Sequence, residues 1–266
     1  MSYSLIDIGA NLAHDSFDDD RDAVLQRAID AGVAQIVVTG SSDDSNVRAA
    51  ALAEAHPGAL YSTAGVHPHH AADFTQESDA LIRELVRKDC VVAVGECGLD
   101  YFRNFSPRDA QLEAFRQQLE IARDCGLPVF LHQRDAHDDF VEVLESALPN
   151  LSRAVAHCFT GEGESLHEYV AMGLYIGITG WICDERRGQH LHDIVPVIPD
   201  DRLLIETDAP YLLPRNIRPR PKSRRNEPAN LRYVVETVAE ARGQSVDHVA
   251  EITRQNAIRF FGLAAP

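Results

Sequence analysis

No apolar run in the 266-residue chain approaches the roughly 20 residues needed to cross a bilayer, so no membrane-spanning helix is expected. The opening, MSYSLIDIGANL, lacks a basic n-region and a small-residue cleavage site. No export signal is therefore expected, and the cytoplasm is the expected location. Cys-x-x-Cys is absent, and the five cysteines (Cys90, Cys97, Cys125, Cys158 and Cys183) are odd in number. That argues against a disulfide framework and for a reducing compartment. A chain this long can bury a sufficient core without staples. Ser/Gly-rich linkers and low-complexity stretches are also missing, so one domain over residues 1–266 is expected. Basic residues are scarce: 25 Lys and Arg face 41 Asp and Glu, for a net charge of −16. This disfavours a protein that coats nucleic acid non-specifically.

What is present repeats. A short apolar, β-branched run gives way to a polar turn and then to an amphipathic helical pattern. The runs SLIDI, QIVVT, LYSTAG, VVAVG, PVFLH, RAVAH, LYIGIT and RLLIET supply eight strand candidates. Between them, Ser106 is a candidate cap for the longest helix, with Pro107 at its first position and Gly126 at its end. Leu112, Phe115, Leu119 and Ala122 form its apolar stripe, and Leu231, Val234, Val235 and Val238 form another near the C-terminus. A last helix is expected from about Val246 to Phe261. Strands recur about every 30 residues, the size of a βαβ unit. Eight such units predict a (β/α)8 TIM barrel. An open doubly wound sheet is the alternative, but no glycine fingerprint follows the first strand.

Barrel chemistry sits at the C-terminal ends of strands. The residues found there are Asp7, Gly9 and Asn11 after the first strand and His67 after the third. Glu96, His132 and His157 end the fourth, fifth and sixth, and Glu206 and Asp208 end the eighth. Thr39 and Thr179 end the second and seventh. Taken singly, such a His is a hydrogen-bonded structural residue and such an Asp is a helix cap. Taken together, imidazoles and carboxylates at one rim form a divalent-metal constellation. Glu96, a carboxylate at the mouth of an apolar strand, is then stabilised by a cation. His69, His70, His137, His167, His190 and His192 read as solvated surface residues, with His14 undecided. Cys97 and Cys158 read as small buried hydrophobes.

The blocks DIGANL, STAGVHPH, VGECGLDYFRNFS, PVFLHQRDAH, AHCFTG, YIGITGWICDERRG, LLIETDAPYLLPR and SRRNEPA resemble the TatD family of metal-dependent deoxyribonucleases over almost the whole chain. The resemblance implies a barrel of the amidohydrolase type and phosphodiester hydrolysis. It further implies magnesium-dependent 3′→5′ exonuclease activity on single-stranded DNA, with RNA also cut, and a role in DNA repair. Position by position, Glu96, His132 and His157 match the family's metal-ligand motifs. Asp208 matches the acid that contacts metal and water, and His67 the histidine at the substrate phosphate. Where most of the wider family has D-x-H-x-H, this chain has Gly9 and Asn11. One firm cation on Glu96, His132 and His157 is therefore expected. A looser second would be held by Asp208, Glu96, Asp7 and substrate phosphate, with Asn11 a weak ligand.

In this reading Asp208 orients water or takes its proton, and His67 offers a hydrogen bond or proton to the phosphate; loop support is His67's alternative role. Family resemblance favours magnesium or manganese, and ligand chemistry keeps zinc as runner-up. The loop GLDYFRNF interleaves Tyr101, Phe102 and Phe105 with Arg103, a single-strand binding pattern unless the rings anchor the loop. The segment RNIRPRPKSRR gathers six of the basic residues with no acid. Arg224 and Arg225 are its candidate phosphate contacts, and ion pairs to the acidic body are the alternative. A small ester or amide, or aminoacyl-tRNA, is the alternative substrate of the same scaffold; a site that has lost activity and only binds is the third reading. A monomer is expected.

Overall fold

The computed structural model describes residues 4–265. In chain order the elements are β1 (Leu5–Ala10), α1 (Arg21–Asp30), β2 (Val33–Val38), α2 (Asp43–Ala55), β3 (Leu60–Ala64), α3 (Gln76–Leu85), β4 (Val91–Asp100), α4 (Arg108–Cys125) and β5 (Val129–Arg134). There follow α5 (His137–Ala147), β6 (Ala154–Ala156), α6 (Gly163–Ala171), β7 (Tyr175–Ile178), α7 (Gln189–Ile194), β8 (Leu203–Ile205), α8 (Leu231–Arg242) and α9 (Val246–Phe261). The strands form one eight-stranded sheet in the order β1 to β8. This is the (β/α)8 barrel fold, as the strand–helix repeat predicts. Every predicted strand is present, and the last helix has the bounds expected of it.

The chain divides into two compact units, residues 1–37 with 158–266, and residues 38–157. In the second unit β3, β4 and β5 pair in parallel. Local signals start its helices. Ser42 caps α2 through Ser45, and Thr75 caps α3 through Ser78, each as a reciprocal capping box. The stripe of α4 buries Phe115, whose ring stacks on Phe140 of α5 at 5.6 Å between centroids. Full burial of each ring contributes about 2–3 kcal/mol. One expectation fails here. Ser106 does not cap α4; its hydroxyl instead accepts from Ala72 N and donates to His69 O at 3.0 and 2.9 Å. Pro107 takes the capping position.

In the first unit β7 pairs with β8. Asp208 N donates to Gly9 O at 2.8 Å and Asn11 N to Ala209 O at 2.7 Å, so the chain beyond β8 runs beside the end of β1. The core there includes Phe260 of α9, edge-on to Tyr175 of β7 at 5.0 Å.

Candidate active site

The fourth strand does not stop at Glu96. It continues through Cys97, Gly98 and Leu99 to Asp100, with every residue buried. Its pairing with β5 slips between Gly95, which faces Phe130, and Cys97, which faces Leu131. Glu96 is the extra residue of this bulge, a local irregularity of the kind that re-aims a side chain. Its backbone N–H donates to Gly40 O at 2.7 Å. Three imidazoles gather on one of its oxygens. Oε1 lies 2.7 Å from His157 Nε2, 3.1 Å from His132 Nδ1 and 3.3 Å from His67 Nε2. Burial alone would raise the Glu96 carboxyl, but His157, His67 and His132 hold it well below the usual carboxylate range.

Two residues outside the sequence-derived set complete this cluster. Asp100 is buried, and its Oδ2 lies 3.3 Å from His132 Nε2 and 2.9 Å from His69 Nε2. Desolvation opposes its charge, yet the two histidines and the Arg103 N–H keep it ionised. His69, read from sequence as a surface residue, therefore belongs to the site. Its ring also stands 4.2 Å from that of His67.

Ring tautomers sort the histidines. Both nitrogens of His132 face carboxylates, so the ring needs either two protons or one proton and a cation. Burial lowers its basicity, but Asp100 and Glu96 together raise it. With Asp100 holding the Nε2 proton, the Nδ1 lone pair points to Glu96. A carboxylate on the far nitrogen is a common way to orient a metal-binding imidazole. His67 is arranged differently. Its Nδ1 accepts from His69 N at 3.0 Å, so the neutral ring carries its proton on Nε2. Burial pushes its pKa down to about 4, against the pull of Glu96. The donor atoms of His67, Glu96 and His132 lie within 4.8 Å of one another. By proton placement, however, His67 is a hydrogen-bond donor and not a ligand. Glu96, His132 and His157 remain, one carboxylate and two imidazoles, a set that fits a divalent cation.

In the other unit a second polar cluster joins β1 to the segment after β8. Asp7 is fully buried. Its Oδ1 accepts from Thr207 N at 2.9 Å and Gly9 N at 3.3 Å, and its Oδ2 from Thr207 Oγ1 at 2.5 Å. Burial pushes its pKa up to about 7 against these donors. The expectation of Asp7 as a loose metal ligand is thus corrected: its oxygens are taken up in pegging the Thr207 turn to β1. Replacing Asp7 by alanine is expected to cost about 3 kcal/mol by orphaning those donors. Thermal unfolding would show it as a Tm lower by roughly 6–12 °C. Asn11 Nδ2 donates to Asp208 Oδ1 at 3.1 Å, so Asn11 orients Asp208. Asp208 itself has a left-handed backbone, φ 54°. Non-glycine residues held in that region concentrate at functional sites. Glu206, also buried, accepts from Cys158 N.

Comparison with known proteins decides the family. The profile described as TatD related DNase matches residues 6–262. The chain belongs to the TatD-related DNase family. It is thus a hydrolase of the phosphodiester class, in a family that depends on metal. It is 52% identical over 259 residues to the "3'-5' ssDNA/RNA exonuclease TatD" of Erwinia amylovora, covering 97% of this chain and 100% of that one. Among solved structures it resembles the TatD family hydrolase of Entamoeba histolytica, with TM-score 0.89 and 28% identity, covering 99% of this chain and 100% of that one. It also resembles the TatD homolog YjjV of Escherichia coli, with TM-score 0.88 and 30% identity, covering 98% of each.

The loop after β4 in this TatD-related chain divides its aromatic residues. Tyr101 is an anchor: its hydroxyl bonds Asp139, and Arg108 lies 4.1 Å from its ring centroid. Phe102 is 54% and Phe105 68% exposed, large apolar areas left open beside the site. Arg134 and Arg103 flank the Phe102 ring at 4.0 and 5.5 Å. Phe105 stands edge-on to His69 at 4.8 Å. The basic segment divides too. Arg225 is committed to Asp20 through two bonds of 2.7 Å, to Glu227 at 3.1 Å and to Ser16 O at 2.6 Å. Its expected role as a phosphate contact gives way to that of a loop anchor, because carboxylates already neutralise it. Arg225→Ala is expected to lower stability by about 1 kcal/mol, the figure for a partly exposed ion-pair network. kcat/KM on DNA should stay within twofold of wild type at a permissive temperature. Arg224 is exposed. No helix among the described residues is long and apolar enough to cross a membrane.

Proposed function

We propose that this chain is a metal-dependent 3′→5′ exonuclease of single-stranded DNA and RNA. One observation carries the reading: three imidazoles gather on the buried Glu96 carboxylate, in a chain about half identical to exonucleases of that description. Glu96, His132 and His157 would hold the cation, magnesium or manganese first and zinc second. When bound, it supplies positive charge that offsets the charge developing on the phosphoryl group.

The remaining work falls to the chain's own groups. His67, neutral and protonated on Nε2, donates a hydrogen bond to a phosphate oxygen. His69 N, through its bond to His67 Nδ1, fixes that proton's place. Asp100 orients the rings of His132 and His69. Asp208, held by Asn11, takes the proton of the attacking water, a role proposed from its match to the family motif. Phe102 and Phe105 offer faces for unpaired bases, and Arg103 a cation for the backbone. Gly9 and Asn11 in place of histidines leave one firm cation site.

The test is incubation of 5′-labelled single-stranded DNA with magnesium, manganese, zinc or chelator. A ladder that shortens from the 3′ end, and that disappears with chelator, is the expected result. DNA left intact with every metal, beside turnover of a small ester or amide, would contradict the proposal.

A further inference from the structure

A cavity of about 390 Å³ lies within the first unit, between the segment after β7 and the segment after β8. That is the size of a small-molecule or nucleotide site. One wall is Trp181 with Leu212 and Leu213, and the rest is largely arginine: Arg186, Arg187, Arg215, Arg220 and Arg224.

The arginines fall into two sets. Arg186, Arg187 and Arg215 are fixed by the buried Asp184, at 2.9, 3.0 and 3.4 Å, and Arg215 also by Glu185 at 2.8 Å. Three guanidiniums share two carboxylates, so one positive charge is left over. Arg187 also stands 4.2 Å from the Trp181 ring centroid, and its carbonyl accepts from Trp181 Nε1 at 3.3 Å. The wall is thereby held rigid. Arg220 and Arg224 are exposed and make no hydrogen bond or ion pair among the described residues. In a chain of net charge −16, this pocket concentrates unneutralised positive charge beside an aromatic and aliphatic wall.

We infer that the Trp181–arginine pocket is a strand-binding subsite that takes one backbone phosphate, or two neighbouring ones, of a single-stranded nucleic acid. Arg220 and Arg224 make the contacts, and the Trp181 wall lies against the attached nucleoside. Guanidinium groups suit phosphate oxygens geometrically, and an aromatic wall beside a cation is how unpaired strands are held without sequence preference. The inference rests on the exonuclease reading and adds a second place where the strand is gripped, apart from the metal ligands.

The experiment measures binding of a fluorescently labelled oligothymidylate to the full chain in chelator, across a salt series. Wild type is compared with the double variant Arg220→Gln/Arg224→Gln and with Lys222→Gln. Lys222 lies in the same loop, carries the same charge and does not line the pocket. The double variant is expected to bind about tenfold more weakly near 0.1 M salt. The slope of log affinity against log salt should fall by roughly 1.4, about 0.7 for each lost phosphate contact on a single strand. Lys222→Gln should shift affinity less than about twofold, since exposed charges are screened within about 10 Å. In the cleavage assay the double variant should raise KM and leave kcat at saturation unchanged. Unchanged affinity and slope in the double variant, or equal weakening by Lys222→Gln, would overturn the subsite while leaving the exonuclease reading intact. Wild type that neither binds nor cuts the strand would overturn both.

Discussion

Glu96→Gln should lower exonuclease turnover about a thousandfold or more. The exchange keeps shape and removes one charge. Glu96 alone is shared by all three histidines, so the amide leaves His132 and His157 without the carboxylate that completes their ligand set. The loss of several kcal/mol of charge stabilisation at the phosphoryl group, at about 1.4 kcal/mol per factor of ten, gives that size. A second readout is independent of turnover. In the wild type a cation at about 100 times its dissociation constant should stabilise the fold by about 2.7 kcal/mol. That amounts to a rise in Tm of roughly 5–10 °C on adding manganese. Glu96→Gln should show no such rise. Retained turnover, or an undiminished manganese shift, would mean that the cation sits elsewhere.

Gly98→Ala should do its damage at the level of folding. Gly98 pairs with His132 across β4 and β5 and has φ 140°, a region closed to alanine without strain. A Cβ there would fall on the His132 carbonyl oxygen, with the His132 carbonyl carbon and amide nitrogen also near 3 Å. These are backbone atoms, and they can yield only if the ladder shifts. Strain of about 1–3 kcal/mol from the dihedral alone adds to that clash. The variant should be insoluble, or should unfold more than about 10 °C below wild type. Gly58→Ala is the control. Gly58 also has positive φ, at 80°, but nothing lies within 4 Å of its Cβ position, so only about 1 kcal/mol is expected. Equal stability of the two variants in thermal unfolding would refute the steric account.

The same few residues show why the fold was legible in the sequence and part of the site was not. Strands buried on both faces read as continuous apolar runs, and eight of them at regular spacing leave little choice of architecture. The end of β4 escaped notice because its apolar run stops at Gly95. Cys97, Gly98 and Leu99 carry no period-2 alternation, and the bulge at Glu96 breaks whatever pattern remains. Asp100 was therefore read as the start of a loop and its carboxylate overlooked. His69 was missed for a related reason: in VHPHH only His67 directly follows the strand. The bond from His69 N to His67 Nδ1 folds the segment so that His69 meets Asp100. A polar residue two positions beyond a strand-end histidine is a signal that could have found it.

Charges within the basic segment could not be sorted from composition. Arg224 and Arg225 are neighbours in sequence, yet Arg225 is held by Asp20, 205 residues away. Nor could the arginines of CDERRG be weighed, because only the fold shows that Asp184 and Glu185 offset some of that charge and not all of it. Asp7 looked like a ligand because strand-end acids often are. Its actual partners, Thr207 and Gly9, are backbone and hydroxyl donors that spacing does not reveal.

Diffraction at the manganese edge from manganese-soaked crystals tests the central claim most directly. The account predicts one strong anomalous peak at bonding distance from a Glu96 oxygen, His132 Nδ1 and His157, with His67 outside the coordination sphere and its Nε2 turned to an anion or water. A map with no peak there, or with the ion held by Asp7 and Asn11 instead, would contradict it.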